Sequence, residues 1–191
     1  MERCQSPIAN RQSLFRSGQS LIEVMVAITL LTVGFLGITS LLSQSLALNR
    51  VVANQLTATY LASEGVEVAK NLIDHDFYAQ QIDGQGDGWG SCFGSGGDFE
   101  LAYDTPDCSS LTEFVGAGDP LYYHPDTHLY DYDSNGGTET NFTRDIRVQR
   151  NSTGPSDTTG DEITVKAIVS WPGLAGAGES VTLEDHFYKW Y

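Results

Sequence analysis

The sequence predicts an α+β protein, one long N-terminal helix packed on an antiparallel β-sheet head, a lollipop in outline. Three observations carry the prediction. An uncharged apolar run near the N-terminus passes without a break into an amphipathic helical pattern, a glycine-rich stretch then ends that pattern, and the last third alternates apolar and polar residues with the period of strands.

Size and charge set the frame. At 191 residues the chain has room for one core plus an appendage. Its 25 acidic against 10 basic side chains, a formal charge of -15, argue against a sequence-independent nucleic-acid binder, whose affinity comes from clustered Lys and Arg. With 40% hydrophobic and 10% aromatic residues it can bury surface, which excludes disorder throughout. Three cysteines, Cys4, Cys92 and Cys108, leave one over.

The first element is the apolar helix. No ionisable side chain lies between Glu23 and Arg50, and Val24 to Leu42 reads VMVAITLLTVGFLGITSLL. The 26 uncharged residues from Val24 to Asn49 make a helix of about 39 Å, enough to cross a hydrocarbon core of about 30 Å. It is a permanent anchor, a secretory signal cut after the run, or a signal cut before it. Ser45-Leu46-Ala47 is a tolerable site for the second, with Arg3, Arg11 and Arg16 as the positive region, but the run exceeds the ~7 to 15 residues of ordinary secretory signals. Glu23 decides: a carboxylate at the start of an apolar helix is costly in lipid unless it finds a partner.

Arg16-Ser17-Gly18-Gln19-Ser20-Leu21-Ile22-Glu23-Val24, followed by the apolar run, resembles the processing signal of type IV prepilins and pseudopilins. The resemblance implies cleavage between Gly18 and Gln19 by a prepilin peptidase, N-methylation of Gln19, and pairing of Glu23 with the free amine of a neighbouring subunit. The chemistry is coherent: within the leader the Gln19 nitrogen is a neutral amide, and cutting turns it into a cation able to meet a carboxylate in a low-dielectric bundle. A simpler account makes Glu23 a dipole partner at the cytoplasmic end of an anchor helix. Major pilins usually begin with Phe, so Gln19 is more like the minor members. Gly34 and Gly37 weaken the helix interior and mark the stretch where filament helices of this family unwind, although small residues also suit close helix packing.

Past Arg50 the helical period continues. Ala58, Leu61, Ala62, Gly65, Ala69, Leu72 and Ile73 fall within about 60° of one direction, with Glu64, Glu67, Lys70, Asn71 and Asp74 opposite. Gly65 lies on the apolar stripe, so close approach of a strand explains it better than a helix break. LASEGVEVAKNLID resembles the segment after the membrane helix in type IV pilus modification proteins, a minor-pilin branch. The predicted organisation is a cleaved leader over 1–18, a transmembrane or filament-core helix over 19–49, its amphipathic half over 50–77 ending near Asp76, and a β head over 78–191 with a Gly/Asp-rich loop region at 83–140.

The head opens on GQGDGWGSCFGSGG, seven glycines in 14 positions, which reads as a surface loop because a phosphate cradle needs a following helix and usually a Lys. Cys92 and Cys108 bracket a predicted strand Phe99 to Tyr103, and in an oxidising compartment their disulfide contributes up to about 3 kcal/mol. Asp131, Asp133 and Asn135 before Gly136 reproduce the opening of an EF-hand loop, with Glu139 at the ninth place. Phe142 stands where the bidentate Glu belongs, so this is a weak calcium candidate beside the commoner hairpin turn. Asp83 and Asp87 are weaker still. His124 and His128 have the spacing of helical zinc ligands, but Pro125 opposes a helix and predicts a turn. No nucleophile elbow or catalytic set emerges, so no enzyme is expected.

The last third gives strands at Phe142 to Gln149, Glu162 to Trp171 and Ser180 to Trp190, separated by loops at Gly154-Pro155, Gly160 and Pro172-Gly173. The first alternates Phe142, Arg144, Ile146 and Val148 with Thr143, Asp145, Arg147 and Gln149. Their order resembles the C-terminal sheet of the same minor-pilin branch.

The resemblance implies a minor pilin or pseudopilin, held in the bacterial inner membrane and then built into a surface filament. Its partners would be other pilin subunits through the N-terminal helix, prepilin peptidase, the inner-membrane assembly platform and, before assembly, membrane lipid; nucleic acid and cofactors are not expected. The alternative is a membrane-anchored extracytoplasmic ligand-binding protein that never enters a filament. Cleavage at Gly18 would remove the odd Cys4 together with Arg3, Arg11, Arg16 and Glu2, leaving 7 basic and 24 acidic side chains, a formal -17.

Overall fold

The α+β class is what the chain adopts: among the described residues there are one α-helix and one antiparallel sheet of seven strands. The computed structural model describes residues 16–83, 88–94, 96–151, 162–173 and 176–189. Cys4, Asp87, Gly154-Pro155, Gly160 and Trp190 lie outside the described residues, as do the side chains of Arg16, Gln19 and Asp83. The chain divides into two compact units, one ending at Arg50 and one beginning at Val51.

Helix α1 is continuous over Arg16–Asp83. It runs past the expected end near Asp76, because no glycine or proline stands between Asp76 and Gly84. Within the second unit its buried stripe is the predicted one: Ala58, Leu61, Ala62, Ala69, Leu72 and Ile73 are each at most 2% exposed. Gly65, also buried, faces Ile146, whose Cδ1 would stand 2.4 Å from a Cβ at that position. The missing side chain lets a strand reach the helix backbone.

The strands are β1 (Gly96–Glu100), β2 (Thr112–Glu113), β3 (Pro120–His124), β4 (Leu129–Asp131), β5 (Thr138–Asn151), β6 (Glu162–Pro172) and β7 (Gly178–Tyr188). Four of them lie within the Gly/Asp-rich stretch. The strand expected at Phe99 to Tyr103 sits earlier, at β1. Gly96 and Gly97 pair with Gln149 and Val148, where a Cβ on Gly96 would meet the Val148 carbonyl at 2.4 Å. After Glu100 the chain turns, the Thr105 amide donating to the Ala102 carbonyl at 3.1 Å.

Strand β5 organises the sheet. One edge pairs with β6 from Thr143↔Ser170 to Asn151↔Glu162; the other is shared by β3 at its start and β1 at its end. β6 in turn carries β7 along its whole length, so β5, β6 and β7 form an antiparallel meander. Alternation puts Ile146 and Val148 of β5, and Ile163, Val165, Ala167, Val169 and Trp171 of β6, into one core with the helix stripe.

Candidate functional site in the N-terminal helix

Apolar side chains all around the first half of α1 are solvent-exposed. Leu21, Ile22, Leu30, Leu31, Phe35, Leu36, Leu41 and Leu42 are each more than 60% exposed. The most apolar 18-residue window has a mean hydropathy of 2.3, and none of it is buried within the chain. A surface patch of that size calls for lipid or other protein. Its hydroxyls are compatible with either. Thr29 donates to the Val26 carbonyl at 2.8 Å, Thr32 to Thr29 at 2.9 Å, and Thr39 to Phe35 and Leu36 at 3.1 and 3.0 Å, so these groups enter an apolar medium already bonded.

Glu23 is exposed amid this surface. In the uncut chain the helix has already begun at Arg16, so Glu23 stands beyond the first turn, where the dipole of the helix start has faded. The Gly18–Gln19 bond also lies in this helical segment. At Gly34 and Gly37 the helix is unbroken, and beyond the neighbouring backbone of the helix itself no atom of the described residues lies within 4 Å of where a Cβ would be. Both positions leave room for the close approach of a second helix.

In the head, Asp131, Asp133 and Asn135 of the calcium candidate lie at the end of β4 and in the stretch before β5, joined by local hydrogen bonds. Asp131 Oδ1 accepts from the Asp133 amide at 2.9 Å and lies 2.8 Å from His124 Nε2, which is also 3.0 Å from the Asp133 carbonyl. Asp133 Oδ1 accepts from both the amide and the side chain of Asn135, which holds its carboxyl below the usual range. Glu139 belongs to β5, paired with Tyr122. Among the described residues no three His, Cys, Asp or Glu side chains are gathered as for a metal ion. His124 ends β3 and His128 lies in the hairpin before β4 with φ 61°, the turn that Pro125 predicts; its Nδ1 is 2.9 Å from the Tyr123 hydroxyl.

Cys92 and Cys108 form a disulfide, with Cα atoms 5.0 Å apart. Asp76, on the buried stripe one turn beyond Leu72, holds this loop to the helix: its Oδ2 accepts from the Ser91 hydroxyl at 2.7 Å and the Cys92 amide at 2.9 Å. The larger surprise is Arg144. It is 0% exposed, and it spans helix and sheet. Its Nη1 donates to the Leu61 carbonyl at 3.1 Å and to Glu64 Oε1 at 3.0 Å, and its Nη2 donates to the Leu101 carbonyl. Tyr132 covers the guanidinium, ring centroid to Cζ 5.9 Å, and burial pushes its phenol up to about 12. Glu64, placed by its angle on the solvent side, is thus drawn to the core edge as a counter-charge. The sequence signal lay on the strand alone: a charge on the apolar parity of Phe142-Arg144-Ile146-Val148.

Charge is also segregated. From Asn71 to Thr143 the chain has 14 acidic residues and no Lys or Arg, so Arg144 is a counter-charge for a strongly anionic half of the head.

No curated protein and no solved structure matches the chain significantly. The family model of the prokaryotic N-terminal methylation motif does match, over residues 15–39. That span contains Gly18, Gln19 and Glu23 and opens the exposed apolar helix. The chain therefore carries, at its N-terminus, the signal of type IV prepilins and pseudopilins.

Proposed function

We propose that the protein is a minor pilin or pseudopilin, a structural subunit cut between Gly18 and Gln19, N-methylated on Gln19, and transferred from the inner membrane into a surface filament. The motif supports a pilin-like or pseudopilin subunit and implies processing by prepilin peptidase and assembly with other pilin subunits. One observation supports the reading most: the motif continues directly into a helix whose apolar side chains have no cover within their own chain. Membrane lipid covers it first, and the helices of neighbouring subunits afterwards. Glu23 then meets the amine that cleavage creates, a pair that selects register more than it adds stability. An assembly platform in the inner membrane would move the subunit between the two states.

Mass spectrometry of the mature chain tests this. N-methylated Gln19 is the expected N-terminus. An intact Met1 would instead make the protein an anchored ligand-binding protein, and a start at Leu48 would make it a secreted one. In Glu23→Val, cleavage is expected to proceed and incorporation into filaments to fall; normal incorporation of this variant would refute the pairing.

A further inference from the structure

The stretch between β4 and β5 carries an exposed Asn135 followed directly by Gly136. Among the described residues no other asparagine has glycine next in the chain. The Gly136 backbone sits at φ 79°, and beyond its chain neighbours no atom of the described residues lies within 4 Å of where a Cβ would stand. Its amide donates no hydrogen bond among the described residues. Elsewhere the amide after an asparagine is held. Asn49, Asn54 and Asn71 are followed by residues inside α1, and the Phe142 amide after Asn141 donates to the Thr140 hydroxyl at 3.2 Å. Asn151 Nδ2 donates to Thr164 Oγ1 at 3.0 Å, and the residue after it lies outside the described residues.

A peptide nitrogen can attack the carboxamide of the residue before it only if it is free to lose its proton and to swing onto that carbon. A hydrogen bond on the amide or a side chain beside it hinders both, and Gly136 has neither. We propose that Asn135-Gly136 is a deamidation site built into the head, at which a neutral side chain becomes a carboxylate without any enzyme. Hydroxide takes the Gly136 amide proton, and the nitrogen bonds to Asn135 Cγ, closing a five-membered succinimide. The Cγ–Nδ2 bond breaks, and Nδ2 leaves as ammonia after taking a proton from water, which restores the hydroxide. One further water opens the ring at either carbonyl, giving aspartate, or isoaspartate in which the backbone runs through the side-chain carbon.

The surroundings determine what the change does. Asn135 Nδ2 donates to Asp133 Oδ1 at 2.7 Å, so conversion replaces a donor by a second anion facing the same carboxylate. Gly137 is pinned against β3, where a Cβ would meet Tyr122 Cβ at 2.8 Å and His124 Nε2 at 2.9 Å. The longer isoaspartyl backbone is therefore taken up on the exposed side, between Asp133 and Gly136, rather than by β5. The reaction adds charge to the half of the head that is already anionic, and it depends on no reading of the filament.

Peptide mapping by mass spectrometry, on the full chain kept in detergent micelles, tests this. The peptide with Asn135 is expected to convert before those with Asn49, Asn54, Asn71, Asn141 and Asn151, and to yield both aspartate and isoaspartate. Between about pH 6 and about pH 8 the rate should rise about tenfold per unit, because a far weaker acid is being deprotonated. Gly136→Ala puts a methyl beside the attacking nitrogen and should slow conversion about tenfold, a barrier raised by about 1.4 kcal/mol. The slowing should persist in urea, which separates the ring chemistry from any change of fold. Conversion spread evenly over the asparagines, a rate that does not move with pH, or a Gly136→Ala rate equal to that of the wild type would overturn the proposal.

Discussion

Removing Glu64 should destabilise the head more than removing Arg144, although Arg144 is the fully buried partner. The guanidinium is 0% exposed, and its Nε has no hydrogen-bond partner among the described residues. In Glu64→Ala the charge stays in the core with the Leu61 and Leu101 carbonyls and the Tyr132 ring, but no counter-ion, to stabilise it. Breaking a buried pair by removing one partner costs about 3–5 kcal/mol. The Glu64 side chain is 29% exposed, so water shares in the present stabilisation and about 2–3 kcal/mol is the expected loss. Arg144→Met removes the ion itself, and the thioether fills much of the space of the stem. The Leu101 carbonyl is orphaned, while Leu61 keeps the helical bond of its own carbonyl. One lost acceptor partner gives about 1–2 kcal/mol. With no charge to neutralise, Glu64→Ala should add little in an Arg144→Met background. Urea unfolding of the detergent-solubilised chain, followed by the fluorescence of Trp171, which is 5% exposed, measures all three variants. If Glu64→Ala proves milder than Arg144→Met, or if the two losses simply add, the pair is not the buried counter-charge described above.

Two further outcomes follow from the same core. In Gly65→Ala the new Cβ stands 2.4 Å from Ile146 Cδ1 and 3.2 Å from Arg144 Cδ; overpacking of about 1–3 kcal/mol outweighs the helix-propensity gain of about 1 kcal/mol. Thermal unfolding should show a net loss near 1 kcal/mol, recovered when Ile146→Val trims the blocking methyl, and no recovery would place the cause elsewhere. Replacing Cys92 and Cys108 together by Ser opens a ring of sequence separation 16 and should lower stability by about 3 kcal/mol in the same urea assay.

Most of the helix was legible in the sequence because its signals are local. Glu23 after Gly18, the uncharged run to Asn49 and the 3.6-residue stripe from Ala58 to Ile73 are each defined by residues one or two turns apart. The strands β5, β6 and β7 were legible for the same reason: alternation is a nearest-neighbour property, and their observed bounds lie within a few residues of the expected ones. The middle of the chain resisted. Gly96 and Gly97 read as loop because glycine has weak intrinsic strand preference, yet pairing with Val148 and Gln149, some fifty residues away, makes them β1 and needs their small size.

Sequence by itself thus determined the class of the fold, the parity of its faces and the N-terminal processing signal, all of which depend on composition and short periods. Tertiary structure alone decided how β5 divides one edge between β1 and β3, and why Glu64 leaves its solvent side to meet Arg144. It likewise decided that Asp76 secures the Cys92 loop and that His186 lies between two carboxylates. The physical reason is common to all of these. A charge's partner and a strand's neighbour are fixed by desolvation and hydrogen-bond satisfaction among groups far apart along the chain, and only the folded molecule brings those groups together.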